Sequence, residues 1–368
     1  MEEAWVSSVW ERLLSKIDGM KNELQHKSPH TTVNGVYDDM RLDWWTSGFW
    51  PGILWIVYDM TKDESYREAA WGWDERIEQC FVKPSNLHHD VGFQFLPTAV
   101  IKYKLTNDED GCRRGLAAAN FLAGRFNPAG KFLRAWNQEM RGWSIIDSMM
   151  NLSILFWAAE QTGDPRFRHI ATAHADTVLR CFARGDGTVC HIASFDPETG
   201  AFIEALGGQG YAPDSAWSRG QAWALYGLAN AYRYTGEQRY LRAAQLVAHY
   251  FLAALPEDGV PPWDFRVPAA ETEPKDTSAA ACAASGMLEI AASLPEQEAC
   301  LYRNGAVRML RALADGYATW DEPEQQGILR GGTGNKPAGQ NVNVSLIYGD
   351  YFFAEAIAKL KGWENRIF

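Results

Sequence analysis

A chain of 368 residues, 46% of them apolar and 22% charged, can bury a large core and is neither disordered nor fibrous. A net charge of −11 disfavours nucleic acid and anionic membranes as partners, while leaving room for a small anion in a locally basic pocket. No apolar run approaches the ~20 residues of a membrane span. The opening Met-Glu-Glu-Ala-Trp lacks the basic-then-apolar order of a secretory leader, so a cytoplasmic protein is expected.

Six cysteines (Cys80, Cys112, Cys181, Cys190, Cys282, Cys300) show no C-x-x-C spacing. That argues against a zinc site or a disulfide framework and predicts reduced, mostly buried thiols. The 16 Trp and 14 Tyr are the unusual feature, because flat amphipathic rings are platforms for sugars.

In chain order, residues 3–25 read as an amphipathic helix, and a polar linker follows to about Tyr37. Residues 43–58 are apolar all round, as a buried helix is, and end at Thr61-Lys-Asp. A charged helix covers Glu64 to Phe81. The pattern then recurs. His88-His-Asp leads an apolar helix to Thr106, covered by an amphipathic one to about Arg125. Asp147 leads the third apolar helix to Thr162, with a cover from Pro165 to Arg184. Ser218 leads the fourth to Thr235, covered by Gln238 to Leu255. Lys275-Asp leads the fifth to about Ala292, covered by Glu296 to Tyr317, and Ser345 leads the last to about Leu360. The turns fall at irregular spacing, as in a diverged repeat with inserted loops.

Five buried helices obtain a cover from the helix that follows, and the sixth has only residues 3–25 left to cover it. A first helix that covers the last closes a ring. The expectation is an all-α, single-domain toroid of six inner and six outer helices spanning 1–368, with residues 3–25 closing it. Strand patterning is weak apart from short turns near residues 185–191.

Inner helices that all run one way bring their N-termini, and the loops before them, to one mouth, where their dipoles favour an anion. The mouth collects Asp43, Trp44, Trp45, His88, His89, Asp90, Trp136, Asp147, His191, Gln209, Trp217, Arg219, Gln221, Trp223, Lys275 and Asp276. Carboxylates, tryptophans and an arginine together suggest sugar-acid chemistry. Each has a plainer reading. Ser144 with Asp147 fits a capping box, and Asp90 fits a helix N-cap. His88, His89 and Asp90 could ligate zinc, but adjacent histidines do not easily face one ion and no H-E-x-x-H spacing exists, so no metal or cofactor is expected. Arg219 could pair with a loop acid. Beside two tryptophans at a helix start, its planar fork is read as a carboxylate binder.

From about Tyr37 to the C-terminus the sequence also resembles the unsaturated glucuronyl hydrolases. The resemblance is carried by residues 43–52 (Asp-Trp-Trp-Thr-Ser-Gly-Phe-Trp-Pro-Gly), 88–93 (His-His-Asp-Val-Gly-Phe) and 145–152 (Ile-Ile-Asp-Ser-Met-Met-Asn-Leu). It continues through 217–227 (Trp-Ser-Arg-Gly-Gln-Ala-Trp-Ala-Leu-Tyr-Gly), 255–265 and 275–281. It implies a six-hairpin α/α barrel that hydrates the C4=C5 bond of the unsaturated uronic acid left by polysaccharide lyases. Asp147 matches the catalytic acid/base, and Asp90 the second essential aspartate. Trp45, His89, Trp136, His191, Gln209, Trp217, Arg219 and Trp223 match substrate-pocket positions. Where the family often has histidine before the glutamine, this chain has Gly208, and its 331–340 segment is distinctive. The expected partner is an unsaturated uronic-acid disaccharide or oligosaccharide, with no nucleic acid or membrane, bound by a monomer or weak homo-oligomer. An unsaturated rhamnogalacturonyl hydrolase, an inverting glycosidase and a helical-repeat binding scaffold remain as alternatives.

Overall fold

The apolar runs form helices whose ends are set by a recurring threonine. Thr61, Thr106, Thr162 and Thr235 each donate the side-chain hydroxyl to the carbonyl four residues back, at 2.6–2.7 Å. The next residue is left-handed (Lys62, Asn107, Gly163, Gly236), which ends the helix. Asp63, Asp108 and Asp164 then start the following helix by accepting a backbone N–H with the carboxylate. This turn is the physical content of the repeat seen in the sequence.

The computed structural model describes residues 2–137 and 140–368. Its helices are α1 (Glu2–Leu24), α2 (Phe49–Thr61), α3 (Glu64–Ala70), α4 (Trp73–Val82), α5 (Val91–Phe95), α6 (Ile101–Thr106) and α7 (Glu109–Ala123). They continue with α8 (Ser148–Thr162), α9 (Pro165–Cys181), α10 (Ser218–Thr235), α11 (Gln238–Ala254), α12 (Thr277–Ala292), α13 (Glu296–Gly316) and α14 (Ile347–Leu360). A π-helical turn, Leu96–Val100, joins α5 to α6 where Pro97 cannot donate to a regular helical ladder.

The buried helices neighbour one another in order: α2, the α5–α6 segment, α8, α10, α12 and α14, which returns to α2. They form the inner ring of an all-α toroid, and one continuous apolar cluster runs through it. The amphipathic helices lie outside, α1 against α14 with Val9, Trp10, Leu13, Ile17 and Met20 buried. Two expectations need correction. The charged helix of 64–81 is two helices, broken at Trp71–Gly72. Strands are also more numerous than the pattern indicated: nine short ones in four small sheets among the described residues. Segments of two to five residues are too short to display a period of two.

Two of these sheets serve the mouth of the ring. One pairs residues 143–145, 192–195 and 202–206, and so ties the loop before α8 to the loop before α10. The other is a hairpin of residues 332–335 and 340–344, ahead of α14. All six cysteines are free thiols, but only Cys190 and Cys282 are buried, so the expectation of mostly buried thiols fails. Among the described residues no helix is long and apolar enough to cross a membrane.

The inner helices approach closely where one residue lacks a side chain. A Cβ on Gly227 of α10 would lie 2.5 Å from Met149 Cβ on α8. Gly227→Ala should therefore destabilise the protein by about 1–3 kcal/mol through overpacking, despite the better helix propensity of alanine. Denaturant melts read this, and an unchanged midpoint would mean that the ring yields at this crossing.

Candidate active site

A cavity of about 380 Å³ opens at the N-terminal ends of the inner helices. Its wall carries Trp44 and Trp45 from the loop before α2, His88 and Asp90 before α5, and Asp147 at the head of α8. Gln209, Arg219 and Trp136 complete one side, and Asn335, Gln340, Asn341 and Tyr348 the other. A larger, open cavity of about 880 Å³ lies over the outer helix α9 and contains none of these groups.

Neither aspartate serves as a helix cap. Asp90 and Asp147 occupy the N-cap positions of α5 and α8, yet neither side chain accepts a hydrogen bond from its helix. Ser144 belongs to a strand, so the capping box does not form. The carboxyl groups instead face the cavity, Asp90 9% exposed and Asp147 16%. Burial lifts Asp147 to about 7, against the pull of the Arg219 cation. Burial, and then the neighbouring Asp147 charge, raises Asp90 well above the carboxylate range. Desolvation is thus the leading cause of the raised proton affinity of both carboxyls.

His191 stands behind Asp147, with Nε2 3.7 Å from Asp147 Oδ1. Its Nδ1 accepts the Gln209 backbone N–H at 2.9 Å, so the proton of the neutral ring sits on Nε2, facing Asp147. Burial holds this imidazole neutral, its pKa down at about 3. The same contact accounts for Gly208. Its φ is +58° and a Cβ there would lie 2.1 Å from His191 Nδ1, so this loop accepts no side chain at that position. His88 and His89 stack at 4.8 Å and burial keeps both neutral. With Asp90 they place potential ligand atoms within 4.8 Å of one another, closer than expected for adjacent histidines. An N–H···N contact of 3.2 Å between the two rings accounts for their approach.

Four of the expected pocket residues stand behind the wall. His89 is sealed beneath Trp136. His191 and Trp217 pack on each other at 4.4 Å, and Trp223 is core between Phe93 and Phe352. Arg219 lines the cavity, but its fork is not free. Its guanidinium donates to Asp276, to the Thr333 and Gly334 carbonyls and to Gln209 Oε1 at 2.8 Å, and it stacks on Trp217 at 4.6 Å. The plainer reading, a pair with a loop acid, is the one realised, and it ties the 332–344 hairpin to α10. Asp43, Gln221 and Lys275 are likewise occupied by Arg41, by the Val189 backbone and by Asp258.

The sequence reading missed His30, Tyr348 and Asn151. His30 is buried edge-on to Trp44 and Trp45, with Nε2 3.2 Å from the Asn341 amide. It lies in a polar linker where nothing distinguishes it. Tyr348 packs at 4.8 Å on Trp45. Asn151 had a readable signal: a buried amide four residues after Asp147, in the greasy part of its helix.

The sequence matches the family model for Glycosyl Hydrolase Family 88 over residues 16–365. The chain belongs to that family. It is a glycoside hydrolase on these grounds, and relatives support the assignment. It is 40% identical over 324 residues, 86% of each chain, to an unsaturated glucuronyl hydrolase of Bacillus sp. strain GL1. It is 32% identical over 343 residues, 90% of this chain and 85% of the other, to an unsaturated chondroitin disaccharide hydrolase of Streptococcus agalactiae. Among solved structures, the Bacillus sp. GL1 unsaturated glucuronyl hydrolase superposes with a TM-score of 0.91 at 37% identity, covering 96% of this chain and 97% of that one. The Streptococcus agalactiae unsaturated glucuronyl hydrolase gives 0.93 at 31%, covering 98% and 93%.

Two outcomes follow from the charges. Arg219→Ala leaves Asp276 buried without its cation and frees the hairpin, and should cost about 3–5 kcal/mol of stability. A melting temperature equal to the parent's, with only KM raised, would return Arg219 to the role of a free carboxylate binder. For Asp147, both folded and unfolded chains hold the proton below the ordinary pKa of 3.8. Between 3.8 and about 7 only the folded chain holds it, so this group's contribution to stability falls as pH rises through that window. Asp147→Asn should thus be more stable than the parent at about pH 8, by roughly 1–4 kcal/mol, with the gap closing below about pH 4. Melts across that range check it.

Proposed function

We propose that this protein is an unsaturated glucuronyl hydrolase, hydrating the C4=C5 bond of the terminal unsaturated uronic acid in lyase-generated disaccharides and oligosaccharides. The observation that carries the reading is Asp147: an uncapped carboxyl in a cavity wall, held by burial at about 7 and faced by a neutral imidazole N–H. Such a group is half protonated near neutral pH and can act as acid and then as base. Relatives solved with dGlcA-Glc-Rha-Glc and with dGlcA-GalNAc6S support the substrate class.

The carboxyl of Asp147 gives its proton to C4, and positive charge develops at C5, shared with the ring oxygen. Water adds at C5 and loses its proton to the Asp147 carboxylate. The resulting hemiketal opens by breaking the C5–O5 bond to a ketone. The hemiacetal left at C1 collapses to an aldehyde and releases the second sugar, one water consumed in all. The His191 N–H steadies the Asp147 anion formed midway, and Asp90, protonated beside it, orients the water. Trp45, packed on Tyr348, and Trp136 offer faces for the sugar ring. No step calls for a metal or cofactor.

Asp147→Asn should fold normally and lose about 100-fold or more in kcat, since an amide transfers no proton. Parent activity should decline as pH rises above about 7, where Asp147 loses its proton. The decisive comparison uses saturated disaccharides of the same linkage. They should be inert, because protonation at C4 needs the alkene. In heavy water, product sampled early should carry one deuterium at C4. Cleavage of the saturated analogue at a comparable rate, without label at C4, would replace hydration with ordinary glycosidic displacement.

A further inference from the structure

Asp90 sits at an N-cap position and does not cap, and the reason lies on the neighbouring helix. The residue three places on, Phe93, presents the backbone N–H that an aspartate N-cap ordinarily binds. That N–H instead donates to Asn151 Oδ1 of α8 at 2.9 Å. Because a backbone N–H can only donate, the oxygen end of the Asn151 amide must face Phe93, which directs its NH₂ the other way. One NH₂ hydrogen goes to Asp90 Oδ1 at 3.1 Å, and the other to the Asp147 carbonyl at 3.2 Å. Asn151 is fully buried, so no water replaces these bonds. The reach depends on Gly92, where a Cβ would lie 2.5 Å from Asn151 Oδ1 and 2.8 Å from Asn151 Cα.

We propose that Asn151 is a positioning residue that caps α5 from the adjacent helix, thereby releasing the Asp90 carboxyl from capping and clamping it beside the head of α8. The same amide holds the Asp147 carbonyl, so both aspartates are referenced to one rigid group. Without it, the vacant Phe93 N–H would draw Asp90 into the ordinary N-cap arrangement and away from the cavity. The inference rests on the reading of Asp90 and Asp147 as the working pair.

The test compares Asn151→Ser and Asn151→Leu with Asp90→Asn and with the double variant Asn151→Ser/Asp90→Asn. Serine can still bond to the Asp147 carbonyl four residues back, so it removes chiefly the contacts to Phe93 and Asp90, and leucine keeps the side-chain volume. Both single Asn151 variants should lose about 100-fold or more in kcat, with KM within roughly threefold of the parent. The double variant should be no slower than Asp90→Asn alone, because the residue through which Asn151 acts is already gone. A crystal structure of Asn151→Ser should show the Asp90 carboxyl on the Phe93 N–H. A folded Asn151→Ser enzyme at full kcat, or with Asp90 unmoved, overturns the proposal, as does a double variant slowed by the product of the two single effects. A parent enzyme inactive on unsaturated disaccharides would overturn the functional reading instead, and leaves the Asp90 position in the variant crystal as the separate measure.

Discussion

Desolvation of two carboxyl groups that cap nothing is the constraint on which the mouth of the ring depends. A buried carboxylate costs several kcal/mol unless it is paired or hydrogen-bonded, and the usual remedy at a helix start is the free backbone N–H. Buried Asp276 takes that remedy, as do the more exposed Asp63, Asp108 and Asp164. Asp90 and Asp147 do not, and pay for it by holding protons at pH values where ordinary aspartates are ionised. A proton kept at neutral pH is what an acid catalyst needs.

The surroundings prevent that strain from being relieved cheaply. His30, His88, His89 and His191 could neutralise the pair if charged, but each is buried and held neutral. They contribute directed N–H groups and lone pairs rather than charge. The cation that pulls on Asp147, Arg219, is spent on Asp276 and on the hairpin carbonyls, so it acts on Asp147 only at range, and Arg125 pulls on Asp90. Its anchoring role also shapes the cavity, because the hairpin it holds at Thr333 and Gly334 is held on its other strand by the contact of Asn341 with His30. Two polar latches therefore set the far wall facing the aspartates.

The inner helices supply the rigidity this requires. Their apolar surfaces are buried on every side, and their crossings are close enough that Gly92 and Gly227 admit no Cβ without displacement. Close packing transmits position with little slack. A carboxyl at the N-cap of such a helix is held in place by the core below it.

The sequence by itself determined the ring, through six greasy helices, five followed by a polar cover and the sixth covered by residues 3–25, with threonine turns at four of the junctions, because burial pattern and turn chemistry are local properties of the chain. It also placed Asp90 and Asp147 at the mouth of the ring, since each heads an apolar helix. Tertiary structure alone decided what each polar residue does there. Whether Asp90 caps its helix depends on Asn151, 61 residues away in the chain. Whether Arg219 is free depends on carbonyls 114 and 115 residues on. His30 latches the hairpin through a partner 311 residues distant. Hydrogen bonds satisfy whichever donor and acceptor the fold brings together, and sequence spacing carries no record of that meeting.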